Sequence, residues 1–143
     1  MIQNRIILKE EKEIKDIFDL ISANKENLYV EKIDNTIEFL THDIPQKTYT
    51  EIATKFSNVD FTAEYADEEV GVDCGLFVHT APESTLETWV PEDHNKAIEF
   101  ACKVIFDYDP SKCGFKKDAN RNWVYDENAD NNEDYIFNEK YLI

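Results

Sequence analysis

Residues 60–80 read DFTAEYADEEVGVDCGLFVHT, and the fold turns on how this stretch is read. Val59, Phe61, Ala63 and Tyr65 alternate with Asp60, Thr62 and Glu64. A period of two sends alternate side chains to opposite faces, so the run predicts a half-buried strand with one solvated face. ADEEVG (66–71) turns the chain. VDCGLFVHT (72–80) brings it back, with Val72, Cys74, Leu76 and Val78 on one face. Gly71 and Gly75 mark a bulge or a close approach of backbone.

Working outward, the topology follows from what precedes the hairpin. NRIILK (4–9) reads as a first strand. Ile14, Ile17, Phe18 and Ile21 then recur at helical spacing with charges between them, and the Asn24 and Asn27 region stops that helix. LYVEKI (28–33) and TIEFL (36–40) flank the turn dipeptide Asp34-Asn35, which predicts a hairpin over 28–41. Pro45 sits in the first turn of a second helix, where its missing N–H costs nothing, and Asp43 is placed to cap it. Tyr49, Ile52, Ala53 and Phe56 line one side of that helix. The order strand, helix, strand, strand, helix, strand, plus one more strand, predicts an α+β protein. Its core is a ferredoxin-like split β-α-β antiparallel sheet with two helices on one face.

Beyond Pro82 the composition becomes that of a loop carrying Trp89. Pro91 starts a third helix with Glu92 and Asp93 in its first turn, which suits the helix dipole. Its buried stripe is Ile98, Ala101, Cys102, Ile105 and Phe106, and Asp109-Pro110 ends it. CGFKKDANRNWVY (113–125) reads as a hairpin turning over 118–122. A polar, acidic loop follows over 126–134, and YIFNEKYLI (135–143) supplies a last apolar strand or docking segment. The expectation is a single domain over 1–143: a ferredoxin-like core at 1–80 and a helix and β-rich extension at 81–143.

Charge is the outlier. The chain carries 31 acids against 15 Lys and Arg, for a net charge of −16. The excess is concentrated: residues 56–102 hold 11 acids and, as their one base, Lys96. Within 60–80, six acids stand without a single Lys or Arg. Direct binding to nucleic acid or to an anionic membrane is therefore disfavoured, because phosphates need a basic footprint. No run is long and apolar enough for a transmembrane helix, and MIQNRIILKEEKE is not a signal peptide, which points to the cytoplasm.

NRIILKEEKEIKDIFDLI (4–21), in which an Asn and a short apolar strand lead into a helix, resembles the opening of the YubB-type ferredoxin-like proteins of plasmids and phages. IEFLTHDIP (37–45), the helix after it, and FSNVDFTAEYADEEVGVDCG (56–75) resemble that family's second signature. There a strand ends in a Pro-started helix, followed by a strand bearing Tyr and an acid and a Gly-containing return strand. The resemblance covers about residues 3 to 80. It implies a ferredoxin-like fold without iron–sulfur chemistry and an accessory gene of a mobile element. It implies no activity and carries over no catalytic residue.

The residues themselves assign no chemistry. GxSxG, HExxH and Gly-rich phosphate loops are absent, and the three glycines stand at 71, 75 and 114. Cys74, Cys102 and Cys113 are odd in number and lack CxxC spacing, as expected of reduced thiols. His42, His79 and His94 are too scattered to join them around zinc. Cys74 and His79 point to opposite faces of a strand, so they make no catalytic dyad. Asp126, Asn128 and Asp130 match the start of a calcium loop, but Asn131 and Phe137 replace its Gly and its Glu. Catalytic, cofactor and metal residues are all read as none.

The remaining signal is the surface. Asp60, Glu64, Asp67, Glu68, Glu69 and Asp73, interleaved with Tyr65, Phe77 and Trp89, form the candidate partner-binding set. Such a stripe imitates the charge spacing of nucleic-acid phosphates and suits a basic protein partner, such as a host defence nuclease. The alternative expectation is a small-molecule binder or minor enzyme. Its pocket would lie between the sheet and the extension, lined by His79, His94, Trp89 and Tyr65.

Overall fold

A computed structural model describes residues 1–83 and 85–127. In chain order it contains β1 (Ile2–Leu8), a 3-10 turn (Glu11–Glu13), α1 (Ile14–Ala23), β2 (Leu28–Ile33), β3 (Thr36–Thr41), α2 (Gln46–Lys55), β4 (Phe61–Asp67) and β5 (Cys74–His79). Then come β6 (Glu87–Trp89), α3 (His94–Phe106), a second 3-10 turn (Pro110–Lys112), β7 (Phe115–Lys117) and β8 (Trp123–Tyr125). Six strands form one sheet in the order β2-β3-β1-β4-β5-β6, with every neighbouring pair antiparallel. The first four, β2-β3-β1-β4, are the expected ferredoxin-like core, and β5 and β6 extend it past β4.

The two faces of β1 explain the layers. Ile2, Asn4, Ile6 and Leu8 are buried toward α1 and α2, where they meet Ile17, Ile21, Phe39, Tyr49 and Ile52. Gln3, Arg5 and Ile7 point the other way. On that second face lies α3, whose Ala101, Val104 and Ile105 pack on Ala66 and Cys74. The outer side of α3 is covered in turn: Ile98 and Cys102 meet Cys113, Phe115 and Trp123 of the β7–β8 hairpin. The turn at Asp34 is left-handed (φ 55°), a conformation Asp tolerates.

Several expectations need correction. The loop carrying Trp89 contains a strand, β6, too short at three residues to show a period. The third helix begins at His94 rather than Pro91, because Asp93 caps it by accepting from the Lys96 N–H at 2.9 Å. It ends at Asp107, in the left-handed region at φ 60°, and Pro110 opens the following 3-10 turn. Asp43 does not cap α2, and Pro45 stands at the cap position. On β5, Cys74, Leu76 and Val78 do share one face, and it is Gly75, Phe77 and His79 that turn toward α1 and α2. Residues 128–143, with YIFNEKYLI and most of the acidic loop, lie outside the described residues.

Gly75 fulfils the expected close approach. A Cβ there would stand 2.5 Å from the Trp89 carbonyl oxygen and 2.7 Å from the Tyr65 hydroxyl. Backbone cannot yield as a side chain can, so Gly75→Ala is expected to push β6 off β5 and cost about 2–3 kcal/mol. Urea denaturation measures this, and a loss below about 1 kcal/mol would contradict the packing.

Candidate functional site

The acids of the opening stretch fall into three environments. Glu64, on the α3 side of β4, is compensated after all: Arg5 Nε donates to its Oε2 at 3.2 Å. The same guanidinium donates to Asp107 Oδ1 at 3.3 Å and to the Val104 carbonyl at 3.5 Å, tying the end of α3 to the sheet. Burial alone would lower the Arg5 pKa, but Glu64, Asp107 and Glu38 outweigh it and hold the group above its ordinary value. Asp60 is half-buried and accepts from the Ala81 N–H at 2.8 Å. Neither residue is a free surface charge.

Asp67, Glu68, Glu69 and Asp73 form the third group, on the β4–β5 turn. Asp67 folds its carboxylate back onto the Glu69 N–H at 2.8 Å, and the Asp67 N–H donates to the Asp73 carbonyl at 2.7 Å. Gly71, at φ 91°, makes the reversal that only glycine adopts freely. Glu68, Glu69 and Asp73 are exposed, and the cation recorded against them is the Met1 amino group, 3.3 Å from Glu68.

This turn forms one bank of a groove of about 640 Å3. Val72 and Asp73 line it on one side, and Val90, Pro91, Glu92 and Asp93 on the other. Val72 and Val90 are 56% and 60% exposed. No Lys or Arg lines it among the described residues. Lys96 lies close by but is engaged with Glu92 at 3.0 Å. The result is an apolar trough with carboxylates on both rims.

The aromatic members of the candidate set do not all reach this surface. Tyr65 and Phe77 are buried in the core, with ring centroids 5.4 Å apart, and are therefore not exposed anchors. Tyr65 does lie beneath the groove. Trp89 is 41% exposed and leans on Phe100 of α3 at 5.3 Å. The alternative pocket also changes shape. His79 is buried elsewhere, stacked on Phe61, with ring nitrogens facing the Val59 and Glu83 carbonyls. Tyr65 and His94 remain in the groove lining. Sequence reasoning missed its second bank, Val90 to Asp93, and the Pro91-Glu-Asp helix start was the available signal.

Burial, and secondarily Asp73, pushes the Cys74 thiol up to about 11. Burial also raises the Tyr65 and Tyr49 phenols. Cys102, held by its hydrogen bond to Cys113 and by burial, is shifted up as well. No disulfide joins the three cysteines, and all three are buried. Groups whose folded pKa is raised stabilise the fold below their unfolded pKa, and this is lost as pH rises through the folded value. For Cys74 that window runs from 9.0 to about 11. Unfolding free energy is expected to fall across this range, and Cys74→Ala should flatten part of the slope. A flat wild-type profile there would contradict the burial of these groups.

No three His, Cys, Asp or Glu side chains converge as metal ligands would, among the described residues. No described helix is long and apolar enough to cross a membrane. Residues 25–106 match the model of the ferredoxin-like domain in Api92-like proteins. This is more than half of the chain, which belongs to that family. The matched segment runs from the α1–β2 loop to the end of α3 and so includes both banks of the groove. No curated protein and no solved structure matches the chain.

Proposed function

We propose that this is a non-enzymatic binding protein of a mobile genetic element that docks a basic protein in the acid-rimmed groove. The observation that carries the reading is the groove itself: apolar Val72 and Val90 between exposed carboxylates, with no Lys or Arg lining it among the described residues. A Lys- or Arg-bearing loop would place its stem on the valines and its charge against Asp73, Glu92 and Glu69. The resemblance of residues 3 to 80 to plasmid- and phage-borne proteins supports the mobile-element origin. On this reading the acidic rims act as a nucleic-acid mimic, occupying the basic groove of a host protein such as a defence nuclease.

The test is capture of partners from nuclease-treated bacterial lysate on the immobilised protein, washed at rising salt. One basic protein released steeply by salt is the expected outcome. A clean blank, together with thermal stabilisation by a small molecule, would replace this reading with a ligand pocket between sheet and extension.

A further inference from the structure

A second cavity, of about 710 Å3, lies between the α1–β2 loop and the β3–α2 loop, and the first turn of α2 lines it. The start of that ten-residue helix is incompletely satisfied. Pro45 at the cap position offers no side-chain acceptor, and no acid stands in the first turn. The Gln46 N–H donates to the Ile44 carbonyl at 2.9 Å, and the Tyr49 N–H to the Pro45 carbonyl at 3.2 Å. Between them, the Lys47 and Thr48 N–H groups have no acceptor among the described residues. Thr48 supplies an independent sign of a ligand. It is only 7% exposed, it lines the cavity, and its hydroxyl has no partner among the described residues. Native proteins rarely leave a buried hydroxyl unpaired.

The charge around these donors departs from the rest of the molecule. Lys25 and Lys47 line the cavity, against Glu26 and Asp43. The net −16 repels anions at long range, but salt screens that repulsion within about 8 Å, so the local donors decide at contact. Unfilled N–H groups at a helix N-terminus, a hydroxyl and two ammonium groups together match a phosphate. The cavity is the size of small-ligand sites, and Leu28 and Ile44 give it an apolar wall.

We propose that this cavity binds a small phosphate monoester. Its phosphate accepts from the Lys47 and Thr48 N–H groups and the Thr48 hydroxyl, and its organic part lies on Leu28 and Ile44. Ile44 also lines the acid-rimmed groove, but the Lys47 and Thr48 donors do not, and the proposal does not depend on the groove's function.

The test is a titration of the full chain followed by amide NMR, using inorganic phosphate, a nucleoside monophosphate, a sugar phosphate and acetate. Saturable shifts at the Lys47 and Thr48 amides are expected, with at least one monoester tighter than inorganic phosphate and acetate weakest. Pro45→Asp places a carboxylate where the phosphate would sit. It should raise Tm in phosphate-free buffer and weaken monoester binding about tenfold or more. Thr48→Val, which keeps the volume, should weaken it in the same sense. If Thr48→Val fails to fold, Pro45→Asp carries the test. Unmoved Lys47 and Thr48 amides, binding unchanged in Pro45→Asp, or acetate binding as tightly as the monoesters would overturn the proposal.

Discussion

Asn4→Ala is expected to cost about 3 kcal/mol of stability, one of the largest losses available to a single substitution in this chain. Asn4 is fully buried on the helix-covered face of β1. Its Nδ2 donates to Thr41 Oγ1 at 3.0 Å and, more weakly, to the Ile2 and Phe39 carbonyls at 3.3 and 3.4 Å. Its Oδ1 accepts from the Tyr49 hydroxyl at 2.7 Å. Alanine leaves a cavity and strands a buried phenol with no acceptor, and the two penalties add. Tyr49→Phe removes only the donor and should cost about 1–2 kcal/mol. In the double variant the costs should fall short of their sum, because the shared bond is lost once. Denaturant titration of the four proteins measures the cycle; strict additivity would mean that the bond contributes nothing.

The second large effect concerns binding. Reversing Glu68, Glu69 and Asp73 to Lys is expected to slow capture of the proposed basic partner by about 100-fold at low salt. Folding should survive, because these side chains are exposed. The ion pair lost among the described residues, Glu68 to the Met1 amino group, is of the surface kind worth about 1 kcal/mol or less. Glu64 is left out because reversing it would set a Lys against Arg5. Reversing Glu10, Glu11 and Asp16 changes the net charge equally at a distance from the groove. Equal loss in that control would mean that net charge, and not the groove, attracts the partner.

The core topology was legible because β1, α1, β3, α2 and β4 each bury one side more completely than the other, and such an element writes its period into the sequence. β5 was harder. Cys74 packs under α3 while Phe77 packs toward α1 and α2, so burial on both faces erases the alternation that orients a strand. The site was legible in part. A run of like charge announces an acidic turn, but the pairing of Glu64 with Arg5 spans 59 residues and exists only through the β1–β4 register. Tyr65 alternates in phase with Phe61 and Ala63, and that phase is the signal that removes it from the surface. The groove has walls 20 residues apart in sequence at Val72 and Glu92, which no local pattern joins.

The central place of β1 also sets an order of events during synthesis. β1 leaves the ribosome before either of its neighbours, since Ile2 pairs with Thr41 on one side and Asp67 on the other. At roughly 5–20 residues per second the strand waits several seconds for its second neighbour. Through that interval Ile2, Ile6 and Leu8 sit on a strand with at least one open edge, the condition under which nascent chains recruit holding chaperones. The sheet closes from the middle only when β4 arrives, and α3 follows to cover the opposite face. Slow translation through β4 would lengthen that exposure, whereas slow translation after α3 would leave the core already sealed.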